Sequence, residues 1–260
     1  MSANYWAERQ AQAQAAITQK NIAEVEKQLT KYYGNSMNKI IGQFEKTYNK
    51  LFSTIAEGRE PTPADLYKLD TYWQLQAQLA QELDSLGNKQ AKLLSKKFMQ
   101  EWEHIYKAIA IKDNLYFGEI DTQAAQQMIN SIWCADGQTW SNRIWSNTNR
   151  LKAALNENLI YCVTTGQQPA ELKKLLMQQF GVSFNRADTL VRTEMAHIQT
   201  EAAKARYVDA GIEEVEILAD EDERRCEVCG KLHEKRFPIH SAIPIPAHPK
   251  CRCCIVPVVE

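Results

Sequence analysis

FNRADTLVRTEMAHIQTEAAKARYVDAGIEEVEIL, residues 184–218, changes period once, and that change decides the fold class. As far as Ala210, the apolar positions Ala187, Leu190, Val191, Met195, Ile198, Ala202 and Ala205 recur at helical spacing, a single stripe on a polar surface. Gly211 is a natural stop for such a helix. From Glu214 to Ala219 the pattern alternates residue by residue, as a half-buried strand does. A long helix therefore hands over to a small β element, and the two directions outward from this junction read differently.

Toward the N-terminus everything is helical. One stripe runs from Ala11 to Tyr33, with Gly34-Asn35-Ser36 expected to end it, and a second runs from Met37 to Ile55. Glu57 to Pro61 reads as a loop, and Thr62-Pro63-Ala64-Asp65 as the start of a third helix that Gly87 should close. A fourth is expected over about Asn88–Ile111. Asp121-Thr122 should cap a fifth that reaches Trp133, and Asp136-Gly137 should turn the chain into a sixth, beginning near Trp140. After Thr164–Pro169 a short helix to Phe180 is expected, then a break at Gly181-Val182-Ser183. The expected architecture is mainly α: an elongated body of helical hairpins over residues 1–166, followed by a small α+β module over residues 167–260 with a zinc-knuckle-like Cys/His cluster.

Composition bounds the function. The 260 residues are 44% hydrophobic and 24% charged, an ordinary globular mix, with 31 basic against 32 acidic side chains, so no net field draws the whole molecule to nucleic acid or anionic lipid. Mean hydropathy is −0.47 and no apolar run approaches the length of a membrane span. The first residues lack the basic-then-apolar pattern of a signal peptide, so reduced thiols are the expectation for the seven cysteines. Five of the eight prolines lie at Pro238 or later, marking the tail as loop-rich.

Cysteine placement carries the chemistry. Cys134 and Cys162 stand alone, whereas Cys226, Cys229, Cys251, Cys253 and Cys254 crowd the tail, and His248 stands three residues before Cys251. A C-x-x-C turn aims two thiolates at one point, and a His/Cys pair at i and i+3 can complete a tetrahedron. The candidate ligands are Cys226, Cys229, His248, Cys251 and Cys253, and the expected metal is a structural Zn2+, since so many soft donors leave no open position. The expected set is the first four, with Cys253 as substitute for His248.

The order Arg192-Thr193-Glu194, Gly211, a strand, Asp220, Cys226-x-x-Cys229, Phe237-Pro238, His248-Pro249-x-Cys251-Arg252-Cys253 and a closing apolar strand resembles the C-terminal domain of the phage Mu F-like minor head, or head-morphogenesis, proteins, over roughly Pro169 to Val259. His197 stands where that family often has Asn, and Val215-Glu216-Ile217 lacks a Trp common on its strand. The resemblance implies a minor capsid protein of a tailed phage or prophage, and with no convincing nucleophile–base pair in the sequence the expectation is a non-enzymatic one. It would associate with the portal, act in procapsid assembly and in DNA packaging or ejection, and sit inside the capsid after assembly in the host cytoplasm. Implied partners are the portal protein, with scaffold or major capsid protein as further candidates.

Other functions would each leave a mark on particular residues. Arg192 and Glu194 resemble an Arg and a Glu of ADP-ribosyltransferases, yet residues two apart on a helix face different ways, which favours structural contacts. A zinc nuclease would need a general-base His beside an open metal position, and no His-His or His-Asn set follows the knuckle. A DNA-binding module would be basic around the metal, but residues 220–236 carry six acids against five bases. Lys89, Lys92 and Lys96 on one helix face fit non-specific contact with packaged DNA, and equally a solvated face. Trp133, Trp140 and Trp145 read as core or docking surface.

Overall fold

The computed structural model describes residues 3–55, 70–109, 120–165, 167, 169–220 and 222–258. The described elements are α1 (Ala3–Ile55), α2 (Asp70–Ala108), α3 (Thr122–Ile129), α4 (Trp140–Thr164), α5 (Pro169–Asp209), β1 (Glu214–Leu218), α6 (Glu227–Leu232), β2 (Arg236–Pro238) and β3 (Cys254–Pro257). The protein is mainly α with one small antiparallel sheet near its C-terminus. The expected loop at Glu57–Pro61 and the cap at Thr62-Pro63 lie outside the described residues.

Three expected breaks are absent, because α1, α2 and α5 run unbroken through Gly34, Gly87 and Gly181. A glycine inside a helix costs about 1 kcal/mol relative to alanine. Burial on either side outweighs that: Leu29, Tyr33 and Ile40 flank Gly34, and Leu83 and Leu86 precede Gly87, all essentially inaccessible. Gly87 has a packing reason as well, since a Cβ there would lie 2.8 Å from the Trp145 ring. Local signals were obeyed where φ demanded them. Gly137 and Gly211 sit at φ +67° and +74°, turning the chain into α4 and ending the region of α5. Asp121 caps α3, its carboxylate accepting the N–H groups of Gln123 and Ala124 at 3.0 and 2.9 Å. That helix ends at Ile129, short of the expected Trp133.

The chain forms two compact units. One comprises Lys27–Lys92 and Ser141–Asp188. Within it α1, α2, α4 and α5 each contribute to a buried polar node: the Tyr33 hydroxyl lies 3.3 Å from Gln90 Oε1 and 3.2 Å from Ser183 Oγ, while Asn147 donates to the Ser183 carbonyl at 2.9 Å. Directional bonds of this kind favour one arrangement of the facing side chains, something an all-leucine core leaves open.

The other unit comprises Met1–Glu26, Leu93–Trp140 and Thr189–Glu260. Its stretch of α1 buries polar residues: Gln14, Thr18 and Asn21 follow one face and are nearly inaccessible. The Thr18 hydroxyl lies between Glu101 Oε1 at 2.5 Å and Gln199 Oε1 at 3.0 Å, and Asn21 donates to Glu101 Oε2. Burial holds the Glu101 carboxyl above its ordinary range. Trp102 in this unit is buried, whereas Trp6 is more than half exposed.

β1 is central in the sheet order β2-β1-β3, antiparallel to both neighbours, with Val215 opposite Phe237 and Ile217 opposite Ile255. Val215 and Ile217 are fully buried, as the alternation predicts. The Ile255 carbonyl on β3 accepts the Gln14 side-chain amide at 3.1 Å and the Tyr207 hydroxyl at 3.2 Å. β2 has three residues and ends in Pro238. Among the described residues no helix is long and apolar enough to cross a membrane.

Candidate metal centre

Cys226 is the N-cap of α6, where its Sγ accepts the Cys229 N–H at 3.3 Å. The turn therefore carries Cys226 and Cys229 to one side. The His248–Cys251 loop meets them from the other, closed by the Cys251 N–H on the His248 carbonyl at 3.1 Å. Lys250 takes φ +63°, a left-handed conformation uncommon outside glycine. All five expected ligands come together in two overlapping triads. Cys226, Cys229 and His248 form one and Cys229, Cys251 and Cys253 the other, with donor atoms of each triad within 4.8 Å of one another. Cys229 belongs to both.

The donor geometry fits a tetrahedral ion. Cys229 Sγ and Cys251 Sγ are 3.8 Å apart, which is about the edge of a tetrahedron with metal–sulfur bonds near 2.3 Å. His248 donates its Nδ1–H to the Pro249 carbonyl at 2.9 Å, which leaves the Nε2 lone pair facing Cys229 Sγ at 3.1 Å. Protons are unevenly shared among the thiols. The Cys253 thiol hydrogen-bonds Cys251 and draws it down to about 5, with backbone groups of Cys253 and Ala247 adding to the effect. The same contact pushes Cys253 up, and burial pushes Cys229 to about 12. A cation entering the cluster replaces those protons. The site could hold a metal ion through Cys226, Cys229, His248, Cys251 and Cys253.

Residues that the spacing of cysteines does not reveal brace this loop. Arg252 pairs with Asp220 at 2.7 Å and forks onto both oxygens of Asp222 at 2.7 and 2.5 Å, tying the entry of the knuckle to its exit. This holds the Asp222 carboxyl well below the usual carboxylate range. Thr193 Oγ1, on α5, accepts the Lys250 N–H at 3.1 Å and donates to the Thr189 carbonyl. The acid–base tally of residues 220–236 thus contains acids already committed to an arginine within the motif.

Arg192 and Glu194 point away from each other, as their spacing requires. Arg192 pairs with Glu26, and Glu194 accepts the Trp133 indole N–H at 3.0 Å. His197 stacks on Trp133, ring centroids 4.1 Å apart at 13°. Burial lowers His197 from 6.5 to about 4. Its neutral form is favoured by folding, so this contribution is present above pH 6.5 and is lost as pH falls through 4, amounting to roughly 3 kcal/mol at the acid end. His197→Phe keeps a stacked ring and removes the titration. Urea unfolding between pH 7 and pH 4 should show the wild type losing ground against this variant, and parallel curves would refute the assignment.

These residues, from the helix bearing Arg192-Thr193-Glu194 to the third strand, fall within a family match. Residues 153–256 fit the family described as Phage Mu protein F like protein. No curated protein and no solved structure matches the chain. Over residues 153–256, which include the helix of Arg192-Thr193-Glu194 and the whole Cys/His knuckle, the chain is similar to the phage Mu protein F-like family.

Proposed function

We propose that this is a phage head-morphogenesis protein: a non-enzymatic minor capsid component that associates with the portal and serves procapsid assembly and DNA packaging or ejection. Its C-terminal module is clamped by a structural Zn2+, and it resides in the virion. The observation that carries the non-enzymatic part is the engagement of the two residues with the best claim to catalysis, Arg192 by Glu26 and Glu194 by Trp133. The family match supports the head assignment. Exposed Lys89 and Lys92 on α2, with Lys96 one turn on, suit non-specific contact with phosphates rather than sequence reading.

The test is co-expression with a portal protein, followed by purification of the ring. The chain should co-purify, and Arg192→Ala or Glu194→Ala should lower the stability of the module or its incorporation into heads. Nuclease or ADP-ribosyl transfer by the purified protein, abolished by either substitution with the fold intact, would overturn the non-enzymatic reading.

A further inference from the structure

Two overlapping triads share Cys229, so the knuckle offers five donors for four positions. What distinguishes them is how their backbone is held. Cys253 immediately precedes β3, whose pairing with β1 begins at Cys254 opposite Leu218. His248 has no strand to hold it. Its loop contains Lys250 in the left-handed region, and the N–H of that residue is bound by a side chain 57 residues earlier, the Thr193 hydroxyl.

We propose that Thr193 is the positioning residue of the metal site, holding the His248–Cys251 loop so that His248 rather than Cys253 completes the ligand set with Cys226, Cys229 and Cys251. The inference rests on the metal reading above. A left-handed residue outside glycine costs free energy and persists only when its surroundings enforce it. Thr193 is well suited to enforce it: its own hydroxyl proton is committed to the Thr189 carbonyl at 2.7 Å, so the oxygen lone pair is presented to Lys250 in one orientation. With the hydroxyl absent, the bond from the Lys250 N–H to Thr193 is lost and the loop can leave the left-handed state. The imidazole then moves off Cys229, and Cys253, anchored by the sheet, is the remaining donor. Outer contacts of this type typically alter metal affinity by 10- to 100-fold.

The experiment uses the full chain and Co2+ as a spectroscopic probe, with Zn2+ competition to rank affinities. Wild type should bind one Co2+ with the absorption of a three-sulfur, one-nitrogen tetrahedral site. Thr193→Val should weaken binding on the order of 10- to 100-fold and shift the spectrum toward four sulfurs, whereas Thr193→Ser should behave as wild type. In Thr193→Val, adding His248→Ala should cause little further loss, because the imidazole has already left. If wild type takes up no metal, the metal reading fails and this inference with it. If wild type binds tightly but Thr193→Val binds within twofold of it with an unchanged spectrum, the metal reading stands and the positioning role is overturned. Equal losses in Thr193→Val and Thr193→Ser would overturn it too, since the serine retains the hydroxyl.

Discussion

Cys229→Ser should abolish stoichiometric metal binding and release residues 222–252 from their fixed backbone, while the helices keep their circular dichroism. Cys229 is the one donor common to both triads, so neither arrangement compensates for its loss. The tail it helps to close has little else to hold it. Its buried aliphatic side chains before β3 are Ile239 and Ile245, the rest being half-buried or exposed. Ordering a backbone costs about 1–2 kcal/mol per residue, and a structural Zn2+ contributes on the order of 10–16 kcal/mol in small peptide sites. Hydrogen exchange should report loss of protection at the β2 amides and throughout the knuckle, and a strong chelator should have the same effect on the wild type. Cys253→Ser should retain one equivalent of metal. Less than a tenth of an equivalent of zinc in the wild-type protein, with an ordered tail, would defeat the prediction.

Phe98→Ala should destabilise its own unit by about 3–5 kcal/mol. Phe98 is fully buried and meets Trp140 edge-on, centroids 5.4 Å apart at 90°. Such a pair adds about 0.5–1.5 kcal/mol beyond burial. Trp140 is itself tethered through its indole N–H to Asn130 Oδ1 at 3.2 Å, so it cannot readily swing into the vacated space. Equilibrium urea unfolding followed by tryptophan fluorescence is the measurement, and a loss below about 1 kcal/mol would contradict the packing described.

Much of the fold was legible because periodicity reports burial. Leu29, Phe98, Leu155 and Val191 fall on buried faces as their spacing requires. The glycines misled because a local propensity of about 1 kcal/mol is decided by what its neighbours bury, which the sequence around Gly34 or Gly181 does not state. The face carrying Gln14, Thr18 and Asn21 was illegible for a related reason: polar residues signal solvent unless their partners are known, and Glu101 and Gln199 lie far along the chain. At the candidate site, the ligands were legible because thiol spacing is itself geometry. Thr193 was not, since a helical hydroxyl gives no hint that it serves Lys250. The Arg252 fork could have been suspected from an arginine flanked by two candidate ligands and a preceding Asp220-x-Asp222.

The two rims of the small sheet bear on how this chain can be recognised. On one side, the Ile255 carbonyl is already taken by Gln14 and Tyr207. On the other, β2 is three residues long and closes with a proline, which has no N–H to offer. Among the described residues, a foreign strand extending the sheet would meet an engaged carbonyl at one rim and a three-residue strand closed by proline at the other. Recognition through the faces of the helices, by side-chain chemistry, would leave both rims of the sheet as they are.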